Sequence, residues 1–120
     1  MKTHKDLIVW QKGIDLVTLV YRYTKSFPKE ELFGLASQMR RASVSIPSNI
    51  AEGHGRGSDK ELLRFLFIAL GSASELETQL VIANNLEYIT LKELEELITL
   101  NDEVRKMLAS LIRSKNNGQI

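Results

Sequence analysis

The residues best suited to chemistry lie in one short run, Gly53-His54-Gly55-Arg56-Gly57-Ser58, followed by Lys60 and Arg64. Three alternating glycines lead directly into a helix start. Free backbone N–H groups and the positive end of the helix dipole favour an anion there, and Arg56, Lys60 and Arg64 add fixed charge, so the segment suits a phosphate. The same glycines suit a plain chain reversal between two helices, and composition alone does not separate these readings. No strand precedes the run, so it is not a dinucleotide-binding fingerprint. Arg40-Arg41 is the second basic feature. Arginine offers phosphate a planar fork of donors. Consecutive residues of a helix point about 100° apart, so only one of the two faces squarely away from a core. The alternative role is ion pairing with Glu52, Glu75 or Glu77.

Catalytic constellations are absent. The chain has no cysteine, and its two histidines, His4 and His54, stand far apart in sequence. No Gly-x-Ser-x-Gly, His-Glu-x-x-His or Walker pattern occurs. Neither histidine supplies the Glu-x-x-His spacing of a di-iron bundle. The expectation is no catalytic residue, no metal and no cofactor. Ser43, Ser45, Ser48 and Asn49 form a small polar run around Pro47. It suits close helix approach and satisfaction of carbonyls freed by the proline, with base reading by Asn49 as the alternative. Trp10, Tyr21, Tyr23, Phe65 and Phe67 sit at helical spacing and read as core or interface.

Four helices must position these residues. Helix 1 is expected from Lys5 to Lys25, opened by a Thr3–Asp6 capping pair, with Leu7, Trp10, Ile14, Val17 and Tyr21 on its apolar stripe. Helix 2 lies between Pro28 and Gly53, with Gly34 separating a short opening turn. Its stripe is Leu35, Met39, Ala42, Ile46 and Ile50, and Pro47 predicts a kink. Helix 3 opens on the box Ser58-Asp59-Lys60-Glu61 and carries Leu62, Leu66, Ala69, Ala73, Leu76, Leu80 and Ala83 in a heptad rhythm, ending at Asn84-Asn85. Helix 4 opens on Thr90-Leu91-Lys92-Glu93 and buries Leu94, Ile98, Val104, Leu108 and Leu111. A second apolar stripe on helix 3, with Leu63, Phe67 and Leu70 as interface candidates and Val81 beyond them, suggests burial on most sides or contact with another subunit. The architecture read from this is all-α: an antiparallel up-down four-helix bundle spanning 1–120, with a core of about 5–114 and a flexible tail, 115–120.

Composition agrees. The chain has 120 residues, 43% hydrophobic and 26% charged, which suits one globular domain. Without cysteine there is no disulfide framework. The polar N-terminus lacks a signal-peptide apolar block, and the run Phe65 to Ala73 is too short to span a bilayer, so no membrane and a cytoplasmic location are expected. Net charge is +1, but residues 1–64 hold 11 Lys+Arg against 7 Asp+Glu, and the remainder holds 5 against 8. Such asymmetry suits partner binding or head-to-tail association, or is ordinary surface scatter.

Several segments resemble one family. Asp6-Leu7-Ile8-Val9-Trp10-Gln11-Lys12 is similar to the opening motif of the 23S rRNA intervening-sequence proteins, also called four-helix bundle proteins. The run Gly34-Leu35, then Ser37 through Gly53, resembles their longest signature. Gly55-Arg56 with Ser58, and Ala69-Leu70-Gly71-Ser72 with Glu75-Leu76-Glu77, extend the likeness from about Asp6 to Ile112. Ser43 departs from a common alanine, and His54 falls at a variable site. The resemblance implies a four-helix bundle encoded within an insert of a bacterial 23S rRNA gene, and a homo-oligomer, a ring-like pentamer in known relatives. A related branch comprises accessory proteins of diversity-generating retroelements, which bind reverse transcriptase and nucleic acid through basic surfaces. The expected function is therefore a non-enzymatic oligomer that binds RNA or another nucleic acid through Arg40, Arg41, Arg56, Lys60 and Arg64. The alternative is a protein-interaction scaffold such as a reverse-transcriptase accessory subunit.

Overall fold

The computed structural model describes residues 3–117. Four α-helices carry the chain: α1 Ile8–Thr24, α2 Leu35–Gly55, α3 Asp59–Asn85 and α4 Leu91–Asn117, with 3-10 turns at His4–Asp6 and Lys29–Glu31. The body is a rod of 48 × 21 × 20 Å. Each helix packs on its sequence neighbour, and α1 closes on α4. Side-chain pairs run in descending order across each seam, as they do between antiparallel neighbours. Asp59 meets Lys115 while Asn101 reaches Ala73; Gly13 abuts Pro47 while Thr24 meets Arg40; Ser45 meets Ser72 while Gly53 abuts Phe65.

The caps locate the helix starts. At α4 the box is complete: Thr90 Oγ1 accepts from the Glu93 N–H at 3.1 Å and Glu93 Oε1 accepts from the Thr90 N–H at 2.9 Å. At α3 the Ser58 hydroxyl accepts from the Glu61 N–H, while the Glu61 carboxylate turns to Arg64. Each such cap satisfies a donor that the first helical turn leaves free, contributing about 1 kcal/mol. The Thr3–Asp6 box exists too, but it caps the 3-10 turn; α1 starts later, at Ile8, with no side-chain cap. At the other end, α4 continues through Lys115 to Asn117, past the expected limit of 114. The rest of the expected tail, residues 118–120, lies outside the described residues.

The core rows of α2 and α3 are those expected, save that their first members, Leu35 and Leu62, are only partly buried. Met39, Ala42, Ile46 and Ile50 face Leu66, Ala69, Ala73, Leu76, Leu80 and Ala83, all at most 4% exposed. Two other rows are corrected. On α1 the buried line is Val9, Gly13, Leu16, Val20 and Thr24, while Ile14 and Tyr21 stay about 40% exposed. Gly13 packs on Pro47 across the α1–α2 seam, where a Cβ would make an ordinary contact of 3.4 Å with the Pro47 ring. On α4 the buried line is Leu97, Asn101, Val104, Leu108 and Ile112.

Around Pro47, α2 runs unbroken from Leu35 to Gly55. The proline removes the donor that the Ser43 carbonyl would accept. Asn49 gives its amide not to that carbonyl but to the Ser45 carbonyl at 2.7 Å and to the Ser45 hydroxyl at 2.8 Å, and that hydroxyl meets Ser72 on α3. The polar run thus ties α2 to α3.

Asn101 is fully buried; its amide donates to the Ala73 carbonyl at 2.9 Å, but its Oδ1 has no partner, as is also true of Gln79 Oε1. A buried acceptor without a donor costs about 1–3 kcal/mol, more than one neutral hydrogen bond returns. Asn101→Leu, which keeps the branched outline with bulkier methyl ends, is expected to raise stability by about 1 kcal/mol. A urea unfolding midpoint equal to or below that of the parent protein refutes this.

Two tyrosines tie the end of the bundle where α1 stops and α4 begins. Tyr23 donates to the Glu96 carboxylate and Tyr88 to Glu31. The hydrogen bond to Glu96 raises the Tyr23 pKa, helped by desolvation and the Glu96 charge; burial raises that of Tyr88, helped by Glu31. A raised folded-state pKa means the native protein holds the proton more tightly. The stabilisation is therefore complete below the free tyrosine value of about 10 and is lost as pH rises through the folded value. A Tyr23→Phe/Tyr88→Phe variant should show a flatter alkaline limb when stability is plotted against pH. A limb as steep as that of the parent protein would count against this.

Candidate nucleic-acid interface

The turn from α2 into α3 is three residues long, and its geometry requires glycine at Gly57, whose φ is +83°. Beside it stands Phe65, the first buried aromatic residue of α3. The guanidinium of Arg56 lies 5.0 Å from the centre of that ring and the guanidinium of Arg64 5.2 Å. Each is also tethered by a carboxylate, Arg56 to Glu52 at 2.9 Å and Arg64 to Glu61 at 3.5 Å. One ring thus organises two cations that a helical turn and a loop would otherwise leave mobile. Both arginines remain open to solvent, with 47% and 63% of their side chains exposed. Exposed ion pairs of this kind contribute ~0–1 kcal/mol, so exchanging the carboxylate for a phosphate carries little penalty.

Gly53 sets the depth of this arrangement. A Cβ there would fall 2.8 Å from the Phe65 Cβ and 3.3 Å from the Leu62 carbonyl oxygen, so α2 and α3 meet here backbone to side-chain root. From α4, Lys115 reaches Asp59 at 3.8 Å, and Lys60 is exposed with no ion pair among the described residues. A cavity of about 230 Å³ lies behind the turn, lined among others by Leu7, His54, Ser58, Leu62 and Lys115. His54 and His4, remote in sequence, come together: their ring centres are 6.4 Å apart, and His4 packs edge-on against Trp10. Among the described residues, no group of three or more ligating side chains forms around them or elsewhere.

Charge is sorted along the rod. The half containing the α2–α3 turn (residues 3–15, 46–72 and 105–117) holds nine Lys+Arg against five Asp+Glu. The other half (16–45 and 73–104) holds six against ten. This is not the division of the linear sequence: residues 3–15 and 46–72 hold five Lys+Arg against five Asp+Glu, and the whole excess comes from α4, through Arg105, Lys106, Arg113 and Lys115, which are not among the expected site residues. The signal was present as positive charge in the last turns of α4, where it also suits the helix dipole.

The five expected residues do not form one patch. Arg56, Lys60 and Arg64 share the basic end. Arg40 turns towards α1, where its Nε donates to the Thr24 hydroxyl at 2.9 Å and its guanidinium lies 4.7 Å from the centre of the Tyr21 ring. Arg41 lines a groove between α2 and α3 with Gln38, Ser45, Ser72 and Glu75. The two arginines diverge as consecutive helical residues must, and neither makes an ion pair among the described residues. Glu52 and Glu77, two of their expected partners, are taken by Arg56 and Arg105. Of the interface candidates, Leu63 is buried within the chain, Leu70 is partly buried and Phe67 is 53% exposed.

A family model described as 23S rRNA-intervening sequence protein matches residues 5–110. Among solved structures, the chain is similar to a protein of unknown function from the S23 ribosomal protein family of Bacteroides thetaiotaomicron. The two share 29% identity over 88% of this chain and 96% of that one, with a TM-score of 0.81. No curated protein matches.

Proposed function

Because the chain belongs to the 23S rRNA-intervening sequence protein family, we propose that it acts as a binding protein without catalytic chemistry, gripping the phosphate backbone of RNA or another nucleic acid with the basic end of its bundle. The observation that carries this reading is the pair of guanidiniums held on Phe65 beside the α3 start, within the half of the rod that has the excess of positive charge. Arg56, Lys60 and Arg64 lead, and Lys115, paired with Asp59 at the start of α3, stands near them at the end of α4. Phosphate contacts position a ligand and read little sequence, so broad specificity goes with this surface.

Salt dependence tests it. With about three phosphates neutralised, log K should fall with log salt at a slope of roughly −2 to −3, or about thirtyfold in affinity from 50 mM to 200 mM. Titration of a labelled RNA hairpin at several salt concentrations measures that slope. Absence of binding at 50 mM, or a flat salt response, removes the reading.

One observation favours a second role, as a scaffold for a protein partner. Phe33 is 92% exposed, next to Leu32 at 48%, at the acidic end of the rod. Large apolar side chains so placed are typical of protein contacts. Recovery of a specific partner after nuclease treatment, lost on Phe33→Ser, would support it, and unchanged recovery by that variant would oppose it.

A further inference from the structure

The core stops short at the basic end of the bundle. One helical turn further in, Ile50, Leu66 and Leu108 are fully buried and fill the space between the helices. The next layer out holds Leu7, Leu62 and Leu111, and all three are only partly buried. They line the cavity of about 230 Å³ behind the α2–α3 turn rather than closing it. Protein interiors hold few voids larger than a water molecule, and an empty apolar cavity forfeits contacts along its walls.

Three polar side chains also line the cavity. The ring of His54 meets that of His4 and makes no hydrogen bond among the described residues. Asp59 and Lys115 approach to 3.8 Å, longer than a hydrogen bond, so the carboxylate and the ammonium each keep bonding capacity. An apolar hollow with a few convergent polar groups is the usual form of a small-ligand pocket. Its volume gives the size of the guest. An apolar cavity of about 150 Å³ binds benzene, so this one holds a six-membered ring with its exocyclic groups. Its location gives the guest's chemistry. Gly57, Ser58 and Asp59 line the cavity and run between Arg56 and Lys60, two of the cations assigned to phosphate. A ring that comes with phosphate is a nucleotide.

We infer that the cavity receives the base of one unpaired pyrimidine of the bound strand, while the basic turn holds the neighbouring phosphates. This rests on the nucleic-acid reading above and adds to it a preference for strand form. The leucines cover the faces of the base. Every base carries a hydrogen-bond donor beside an acceptor on its Watson–Crick edge; Asp59 accepts from the first and Lys115 donates to the second. In a duplex that edge is occupied, and the base has to leave the stack first. In a bulge or loop it is already free. The pocket thus selects unpaired over paired, with size as its only choice among bases.

Hairpins that differ at one nucleotide test this. A hairpin with one bulged cytidine should bind about tenfold tighter than the fully paired one, the effect of one stacked base. An abasic site in the bulge should lose that gain, which separates the base from the bend that a bulge introduces. Leu111→Trp fills the cavity from α4 and leaves every cation in place. With its helical signal retained, it should bind the paired hairpin as the parent protein does and show no gain for the bulge. Equal affinity for the bulged and paired hairpins, equal affinity for the bulged and abasic ones, or a gain that survives Leu111→Trp would each overturn the pocket and leave the phosphate grip standing. Free cytidine monophosphate competing as well as the bulged hairpin overturns it too, by making the cavity a site for a free nucleotide. Binding of no RNA at all removes the pocket together with the grip on which it rests.

Discussion

Changing Arg56, Lys60 and Arg64 together to glutamate is expected to abolish nucleic-acid binding while leaving the helical signal and the unfolding midpoint close to those of the parent protein. The reason lies in where these side chains sit. Each is exposed, and the ion pairs they lose to Glu52 and Glu61 are surface pairs of ~0–1 kcal/mol. Reversal removes three cations and installs three anions beside Glu52, Asp59 and Glu61, turning the end of the rod repulsive to phosphate. Loss of three contacts should also remove most of the salt slope, since each neutralised phosphate contributes about 0.7–0.9 to it. Arg40→Glu/Arg41→Glu is the informative contrast. Those two point to α1 and to the α2–α3 groove, so affinity should drop severalfold at most. If the two variants lose binding equally, the basic end has no special standing and the ligand lies along the flank of the bundle.

The second large effect is steric. Gly53→Ala should destabilise the protein by about 1–2 kcal/mol, although alanine is the better helix former by up to ~1 kcal/mol. The added methyl would sit 2.8 Å from the Phe65 Cβ. That atom is fixed to the backbone of α3 whatever the rotamer of the ring, so the clash is relieved only if α2 and α3 separate. That separation displaces the platform that holds Arg56 and Arg64, so nucleic-acid affinity should fall with stability although no charge has changed. Gly55→Ala is the control, two residues on, where the methyl meets nothing within 4 Å. It should be neutral or slightly stabilising. Chemical denaturation of both variants settles the sign, and a Gly53→Ala protein as stable as the parent would mean that the seam yields more readily than its geometry implies.

Some of this was legible in the residues, for reasons that can be named. The caps of α3 and α4 combine a Ser or Thr with a Glu three residues on, a local pattern whose partners all lie within one turn, so tertiary contacts hardly alter it. The core row of α3 is equally plain, because no other apolar row on that helix is as continuous. On α1 two neighbouring rows are apolar, and periodicity ranks them by bulk. Leu7, Trp10, Ile14, Val17 and Tyr21 are bulkier than Val9, Gly13, Leu16, Val20 and Thr24, yet the second row is buried. Which row is buried is a property of two helices together, here of Gly13 packed on Pro47 across the seam, and periodicity within one helix does not carry it. Asn101 hid the core row of α4 in the same way, by being polar and buried. At the candidate site, the run from Gly53 to Arg64 was legible as a basic turn. Its union with α4 was not, since Lys115 and Asp59 are 56 positions apart in sequence. Phe65 was read as core or interface and proved to be both packing residue and platform.

The seams between helices also bear on how quickly the chain finds its fold. Three of the four join consecutive helices across connections of ten, three and five residues, and only the α1–α4 seam, marked by Lys12–Glu103 and Tyr23–Glu96, links remote parts of the chain. Closing a loop costs entropy that grows only slowly with its length, and helical proteins dominated by local contacts fold in microseconds to milliseconds. A ribosome releasing this chain would expose α2 and α3 as a nearly complete hairpin before α4 emerges. The exposed Phe67, Ile68, Val81 and Ile82 of α3 would then already be displayed on a half-made bundle.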